Sequence, residues 1–267
     1  MKKFTLSILI FALMAVFAKS AWAQESAEEI MQKSHMAYYY AGDDGMTEVT
    51  MKIVNSKGRE RLREFSMLRL DVEEGGTQKY YTYFKKPSDV SRLTFMVWKN
   101  PDANDDRWLY VPSVDLVKRL SADDKNSSFV GSDFSYEDVS GRHWTEDTHT
   151  LVSDKETLNG HDAYLISSKP KAGGDYFVEK KTWVDKKTYL PLKEEYYDKD
   201  GKVFRRFTAD KIEDIDGITT ITQRTMENVD KGQHTTIIFD SIDYNVGITD
   251  DIFTERYLKN PPRKFIK

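Results

Sequence analysis

Apolar and polar residues alternate with a period of two along most of the chain after Gly42, and turn signals interrupt this alternation about every 10 to 15 residues. The segment 48–53 (EVTMKI) shows the pattern, because its apolar residues occupy every second position. Turn signals such as Asn159-Gly160 and Asp216-Gly217 separate successive segments. The sequence therefore predicts a mainly β fold, in which a meander of antiparallel hairpins forms a sheet or a barrel.

One substantial helix is predicted before the strands. Ser26 and Glu29 form a capping-box signature, and the residues around them predict a helix over 25–39. A short helix over 249–257, capped by Thr249 or Asp250, is predicted near the end of the chain. Between these helices the predicted strands are 49–53, 59–71, 78–86, 93–98, 108–111, 114–120, 143–153, 163–169, 176–185, 192–198, 203–212, 218–228 and 235–244.

The two strands within 78–98 have apolar residues on both faces. Tyr80 and Phe84 alternate with Tyr81 and Tyr83, and the next strand repeats this arrangement. A sheet with solvent on one side does not need a second apolar face, so we expect a cover there. The segment 129–139, which has large apolar residues among Ser, Gly and Asp, and the N-terminal helix are the candidate covers. The two-sided residues either line an adaptable apolar groove or fill a thick core.

The first 23 residues have the pattern of a secretory signal peptide. Lys2 and Lys3 precede the apolar stretch 4–17, and Ala21 and Ala23 occupy the positions that signal peptidase requires. The apolar stretch is shorter than the ~20 residues that span a bilayer, which favours cleavage over a membrane anchor. We expect a signal peptide at 1–23 and a single domain at 24–267.

Composition narrows the class of partner. The chain has no cysteine, which excludes disulfides, thiolate chemistry and a lipobox. Its net charge is −4, and removal of the three signal-peptide lysines leaves −7 (−4 minus 3). This charge, together with the absence of any basic run longer than a pair, argues against a nucleic-acid partner. It also argues against standing attachment to anionic membranes, so we expect transient membrane contact only.

The sequence contains no recognisable catalytic or metal-binding motif. Its five histidines lack HxH and HExxH spacing, and Gly131-Ser132-Asp133 lacks the second glycine of a nucleophile elbow. Adjacent residues on a strand point to opposite faces, so acid pairs such as Glu194-Glu195 do not form acid–base dyads. We therefore predict a protein without enzymatic activity, cofactor or metal.

The segment 107–139 carries the most specific signal. It contains a WLYVP strand at 108–112, the basic pair Lys118 and Arg119, and the loop FVGSDF at 129–134. In these elements the chain resembles the outer-membrane lipoprotein-sorting proteins of the LolA-like superfamily, in the branch associated with RND/MMPL-type transporters. The resemblance implies an unclosed antiparallel β-barrel with an N-terminal helix and a loop or short-helix cover over its concave face. It further implies that acyl chains bind beneath this cover and that an arginine on the sheet holds the cover closed, although the sequence does not identify that arginine.

The function that this resemblance implies is that of a periplasmic carrier or chaperone. It would shield the acyl chains of a lipid or lipoprotein in an apolar groove between the inner and outer membranes, with an RND/MMPL-type transporter and an outer-membrane acceptor as partners. The alternative is a non-carrying periplasmic interaction domain that binds an envelope protein or such a transporter. Arg107 and Arg119 are candidates for contact with a lipid headgroup, or else pair with Asp115 or Asp133 at the surface. The predicted groove and cover residues are Met51, Ile53, Leu68, Tyr81, Tyr83, Phe95, Trp98, Trp108, Tyr110, Phe129, Phe134 and Tyr136.

Overall fold

The computed structural model describes residues 25–172, 174 and 176–266, so the expected signal peptide at 1–23 lies outside the described residues. The helices are α1 (Ala27–Tyr39), α2 (Tyr136–Ser140) and α3 (Glu255–Lys259). The strands are β1 (Asp44–Val54), β2 (Glu60–Asp71), β3 (Gln78–Lys86), β4 (Thr94–Lys99), β5 (Asp106–Val111), β6 (Leu116–Leu120), β7 (Asp147–Leu158), β8 (His161–Pro170), β9 (Glu179–Asp185), β10 (Pro191–Tyr197), β11 (Val203–Ile215), β12 (Ile218–Asn228) and β13 (Gln233–Tyr244). Within the described part of the chain, no helix is both long and apolar enough to cross a membrane.

All strands belong to one antiparallel sheet, in the order β6-β5-β4-β3-β2-β1-β13-β12-β11-β10-β9-β8-β7. Only one neighbouring pair is not sequential: β1 pairs with β13, with Gly45 opposite Tyr244 and Val54 opposite His234. β6 and β7 are the two edges and do not pair with each other, so the barrel is unclosed. The predicted fold class, an unclosed antiparallel barrel with an N-terminal helix and a loop cover, is confirmed.

Several predicted elements have different bounds in the structure, among them the strands predicted over 114–120 and 176–185, which begin at Leu116 and Glu179, and two further cases have an identifiable local cause. The strand predicted to begin at His143 begins at Asp147, because His143 caps a short 3-10 helix over 144–146 and its N–H donates to the Glu146 carboxylate. The helix predicted over 249–257 is divided into a 3-10 turn over 250–252 and α3. Phe253 and Thr254 leave the helical conformation between them, which is the physical reason for the division.

Helix α1 begins and ends with side-chain hydrogen bonds. Ser26 and Glu29 form the predicted capping box. At the other end, the Arg69 guanidinium of β2 donates to the carbonyl oxygens of Tyr39, Ala41 and Gly42, and so satisfies groups that the helix leaves free. This arginine fixes the end of the helix against the sheet.

The two faces of the sheet have different covers. One face, here called the concave face, packs against α1 and residues 127–141. The opposite face of β2–β5 packs against residues 246–266, here called the C-terminal segment. Segment 129–139 and α1 are the predicted covers of the second apolar face, but both lie on the concave face. The C-terminal segment supplies the other cover and was missed.

Candidate functional site

Residues 127–141, here called the latch loop, fold into a tight turn followed by α2. The Phe129 N–H donates to the Phe134 carbonyl at 2.7 Å, and the Ser132 hydroxyl donates to the Phe129 carbonyl at 2.7 Å. Val130 and Gly131 have φ of 51° and 77°, so the turn passes through the left-handed region, which a β-branched residue rarely adopts. The loop is therefore a defined structure, held in part by contacts outside itself.

An aromatic side chain of the latch loop is inserted into the concave face. Phe129 is 1% exposed, and its ring centroid lies 5.7 Å from that of Phe84, 5.6 Å from that of Phe95 and 6.4 Å from that of Phe65. Tyr136 of the same loop lies edge-on at 5.6 Å. Phe129 and Tyr136, here called the aromatic plug, pack against the phenylalanine rings of the sheet on the concave face between β2 and β4.

Arginines of β2 hold the turn of the latch loop. Arg63 Nε donates to the Val130 carbonyl at 3.2 Å, and Arg61 Nη2 donates to the Gly131 carbonyl at 3.2 Å. Arg63 also pairs with Asp89 at 3.3 Å. Because Arg63 binds the carbonyl of the residue with the left-handed backbone, this contact helps to offset the local strain.

An ion pair holds the other half of the latch loop. Arg205 of β11, 4% exposed, pairs with the Asp138 carboxylate and donates to the Asp133 carbonyl at 3.1 Å. The Asp138 carboxylate also accepts from the Ser135 N–H and hydroxyl. Burial raises the pKa of the Asp138 carboxyl, but Arg205 overrides this effect and the pKa lies below its usual value. Asp138 is therefore ionised at neutral pH, and the pair is charged on both sides.

A cavity of about 130 Å³ lies beside this loop, between the end of α1 and the strands β1, β2, β12 and β13. Apolar side chains, including Met67, Val139, Ile221 and Phe239, form much of its wall, and Arg69 and Arg224 also line it. Pockets for drug-sized ligands have volumes of about 300–1,000 Å³. The cavity therefore has room for a small group but not for a drug-sized ligand.

Comparisons with known proteins identify a family and several solved structures that are similar to this chain. The model of a family described as uncharacterised matches residues 76–260, more than half of the chain. An outer membrane lipoprotein-sorting protein domain from Vibrio parahaemolyticus has a similar structure, with a TM-score of 0.80, 28% identity and coverage of 87% of this chain and 98% of its own. A DUF1329 family protein from Desulfovibrio piger is also similar, with a TM-score of 0.80, 28% identity and coverage of 88% and 100%.

A third structure shares the fold alone. It is a LolA superfamily protein from Nitrosomonas europaea, with a TM-score of 0.68, 18% identity and coverage of 88% of this chain and 100% of its own. No curated protein matches the sequence. The chain belongs to the LolA-like family. Arg61, Arg63 and Arg205 are sheet arginines that bind the latch loop in this structure.

The predicted groove residues of this LolA-like protein are divided between the two faces of the sheet. Those on the concave face or in its cover are Met51, Ile53, Phe95, Phe129, Phe134 and Tyr136. Those on the opposite face, beneath the C-terminal segment, are Leu68, Tyr81, Tyr83, Trp98, Trp108 and Tyr110. Successive residues of a strand point to opposite faces, so one groove cannot contain both sets. The second set does not face the cavity or the aromatic plug.

The two predicted headgroup arginines have carboxylate partners. Arg107 is 3% exposed and pairs with Asp105 at 2.7 Å, whereas Arg119 lies on the opposite face, where it pairs with Asp106. The alternative prediction, that these arginines pair with Asp115 or Asp133, is wrong. Asp115 pairs with Lys259 at 2.8 Å, and Asp133 accepts from Gln233 at 2.6 Å and from Thr235 at 2.7 Å.

The arginines that contact the latch loop were not predicted from the sequence. Arg63, Arg205 and Arg224 occupy the same phase of their strands as the buried Phe65, Phe207 and Met226. A charged residue in an apolar phase is a detectable signal, because buried arginine is rare unless it has a partner. The signal identifies the arginines but not their partners on the latch loop.

A second, polar cavity of about 60 Å³ lies beneath α1. His35 of α1 and His143 line it, with ring centroids 4.8 Å apart, and the Nε2 atom of each is buried without a hydrogen-bond partner. Burial, then the neighbouring His143, Lys99 and Lys180, hold the pKa of His35 well below its usual range. Burial and then Lys99 lower the pKa of His143. Both imidazoles are therefore neutral at pH 7.

Proposed function

We propose that this protein is a periplasmic carrier that shields the acyl chains of a lipid or lipoprotein during transfer between the inner and outer membranes. One observation supports this most strongly: an aromatic plug packs on the concave face, and the loop that carries it is held by side-chain contacts, among them those of three arginines, rather than by a continuous strand. Such a loop can leave the face without unfolding the sheet, since none of the ladder hydrogen bonds of β1–β13 passes through it.

Exchange of the plug for cargo keeps the concave face dry. When the latch loop lifts, Phe65, Phe84 and Phe95 lose their contacts with Phe129 and present an apolar surface. An acyl chain restores that burial, at about 0.8 kcal/mol for each methylene removed from water. A chain of ordinary length therefore offsets the loss of the plug, and the empty protein returns to the closed state.

The charged contacts set the default state of the loop. The Arg205–Asp138 pair and the Arg61 and Arg63 hydrogen bonds to carbonyls must break together before the plug leaves. Hydrogen bonds to a charged group contribute about 1.5–3 kcal/mol each, so the closed loop is favoured in the empty protein. Release of cargo then follows from re-closure of the loop or from competition by an acceptor.

The expected signal peptide and the absence of cysteine are consistent with an exported, unacylated carrier. An RND/MMPL-type inner-membrane transporter is the proposed donor, and an outer-membrane protein is the proposed acceptor. Contact with either membrane would be transient, because the net charge after removal of the signal is negative.

Retained cargo is the direct test. The protein is purified from periplasm without detergent, extracted with organic solvent and analysed by lipid mass spectrometry. Stoichiometric lipid or acyl-peptide is the expected result. A blank extract, repeated after incubation of the protein with membranes, would reject the carrier.

A variant of the plug tests the role of the loop. Phe129→Asp places a carboxylate among four aromatic rings, so the loop should undock and cargo retention should fall at an unchanged fold. Phe134→Asp is less informative, because the Phe134 ring lies 5.4 Å from the Arg224 guanidinium and the new carboxylate could pair with it. Val152→Asp, at a position that is 53% exposed on β7, is the matched control. Equal retention in the Phe129 and Val152 variants would remove the loop from the mechanism.

The non-carrying interaction domain remains the second candidate, and one observation favours it. Edge strand β6 leaves its outer hydrogen-bonding groups unpaired, and Val114 and Leu116 beside this edge are 67% and 50% exposed. An edge of this kind can accept a strand from another protein. A lipid-free extract combined with pull-down of an envelope protein, lost on Leu116→Lys, would favour this candidate over the carrier.

A further inference from the structure

Arg224 of β12 differs from the other buried arginines. Four arginines are buried in the described part of the chain. Arg63 pairs with Asp89, Arg107 with Asp105 and Arg205 with Asp138. Arg224 forms no such pair with any described carboxylate. The acid that contributes to raising its pKa is Asp138, and Asp138 is already paired with Arg205.

The neighbours of Arg224 are almost entirely aromatic. Its guanidinium lies 5.7 Å from the ring centroid of Tyr38, 5.4 Å from that of Phe134 and 5.3 Å from that of Phe239. Nη1 donates to the Tyr38 hydroxyl, and Nε is buried without a partner. Burial raises the pKa of Tyr38, so its phenol is neutral at physiological pH and supplies no countercharge. A cation with 8% exposure is thus left with ring faces and one phenol.

Such an arrangement is costly in the empty protein. A buried charge without an opposite charge loses its hydration and recovers little of it from apolar neighbours, although ring faces attract a guanidinium. Arg69, which lines the same cavity, shows the contrast, because it donates to three carbonyls at the end of α1 and pairs with Asp71 at 3.5 Å. Arg69 has a structural role there, whereas Arg224 has free hydrogen-bonding capacity beside the cavity.

The position of Arg224 indicates what would use that capacity. It lines the apolar cavity and contacts Phe134 of the latch loop, so it stands where the cavity meets the concave face beneath the loop. We propose that Arg224 binds the terminal oxyanion of a single-chain acyl ligand, a fatty-acid carboxylate, whose chain lies along the concave face in place of the aromatic plug. This inference rests on the carrier function proposed above and adds the chemical class of the cargo.

Charge and shape favour a carboxylate over a phosphate. A planar guanidinium binds a carboxylate through two parallel hydrogen bonds, and one monoanion neutralises the one unpaired cation. A phosphate monoester brings up to two negative charges to a site with a single free cation, and a glycerophospholipid headgroup needs more room than the cavity of about 130 Å³ offers.

Three ligands of equal chain length test the inference: dodecanoate, dodecanol and dodecyl phosphate, each below its micelle concentration at pH 8. Binding to the delipidated, exported chain is measured by titration calorimetry for wild type, Arg224→Met and Arg206→Met. Arg206 is the control, because it lies on the same sheet but pairs with Glu195 and Glu227 away from the cavity. We expect wild type to prefer dodecanoate over dodecanol by about 10- to 100-fold, Arg224→Met to lose this preference, and Arg206→Met to keep it.

Other results separate the two proposals. Equal affinity of wild type for dodecanoate and dodecanol overturns the assignment of Arg224 but leaves the carrier in place, because the neutral chain still binds. Preference for dodecyl phosphate overturns the carboxylate class. Absence of binding for all three ligands overturns the carrier as well. If Arg224→Met does not fold, Arg224→Lys retains the charge without the planar fork, and a preference for dodecanoate reduced relative to wild type supports the assignment, whereas an unchanged one overturns it.

Discussion

Strands β2–β5 are covered on both faces, and the two covers are held by different forces. The C-terminal segment contributes Phe253 and Leu258, both with 0% exposure, and its polar contacts to the sheet include the Trp98 indole donating to the Phe253 carbonyl at 3.1 Å and the Tyr81 hydroxyl donating to the Tyr257 carbonyl at 2.7 Å. The latch loop instead relies on three arginines, on hydrogen bonds from Gln233 and Thr235 to Asp133, and on the buried rings of Phe129 and Phe134.

The distribution of unsatisfied polar atoms follows the same division. Eight buried side-chain atoms of the described residues lack a hydrogen-bond partner. All belong to the concave face or to the segments near it, including His35, His143, Arg205 and Arg224. Native cores satisfy almost all such groups, so these eight atoms set the concave side apart from the outer face of the sheet. The proposed carrier function assigns stability to the C-terminal segment, here called the outer cover, and exchange to the latch loop, here called the inner cover.

Removing one ring from each cover gives the largest effect. Phe253→Ala should lower the free energy of unfolding by about 3–5 kcal/mol, because it leaves a cavity in a fully buried cluster. Phe129→Ala should also destabilise the empty protein, but dodecanoate should restore part of the loss, since a chain can occupy the vacated volume. Urea unfolding of both variants with and without ligand measures the difference. Equal rescue of the two variants would contradict the division into a permanent and an exchangeable cover.

The outer cover was not predicted from the sequence, and its contacts explain why. The fold class could be predicted because period-two alternation and turn dipeptides are local signals. The position of the C-terminal segment could not, because it depends on a distant contact. The Asp44 carboxylate accepts from the N–H groups of Val246, Gly247 and Ile248 at 2.7, 3.0 and 3.0 Å, and so directs the chain onto the outer face. No local pattern links Asp44 to residues that are so far along the chain.

Part of the candidate site could also be predicted, because some of its signals are local in the sequence. The latch loop was recognisable from its aromatic residues and its family pattern, and segment 129–139 does cover the concave face. The division of the aromatic residues between two faces follows from strand periodicity, but the sequence does not say which face is concave. The arginine partners are set by the fold, since Arg205 and Asp138 meet only when β11 lies beneath the loop.

Opening the inner cover alone is the next test. Arg205→Met removes one side of a buried pair and leaves Asp138 unpaired, which should cost the closed loop about 3 kcal/mol. Hydrogen exchange should then accelerate in amides 128–141 and stay unchanged in amides 252–258. The neighbouring Arg206→Met is the control, because its pairs with Glu195 and Glu227 are partly exposed and contribute about 1 kcal/mol or less. Acceleration in both segments would mean that Arg205 supports the whole sheet rather than the latch.

Mild acid should destabilise the inner cover more than the outer cover, by less than the substitutions described above. The pKa values of His35 and His143 are lowered in the folded protein, so the unfolded chain binds more protons below its histidine pKa of about 6.5. The stability contributed by the neutral imidazoles is therefore complete above pH 6.5 and is lost as the pH falls below it. Residues 246–266 contain no histidine, so the outer cover has no corresponding group. Between pH 7.5 and 5.5 we expect the free energy of unfolding to fall, by no more than about 1.4 kcal/mol for each histidine, which is the limit for a group that stays neutral in the folded protein.

The Asp71 carboxyl has the opposite effect on stability as the pH falls, so its contribution must be separated from that of the histidines. Burial raises the pKa of Asp71 to about 6, so its protonation below that pH stabilises the folded state. The double variant His35→Gln/His143→Gln retains Asp71, and the difference between its pH dependence and that of wild type isolates the histidines. Urea unfolding at pH 7.5 and 5.5 should give the steeper loss in wild type, with faster exchange at α1 and unchanged exchange at 252–258. If both proteins lose stability equally, protonation of this pair does not loosen the inner cover, and its capacity for exchange resides in the arginine contacts of the latch loop alone.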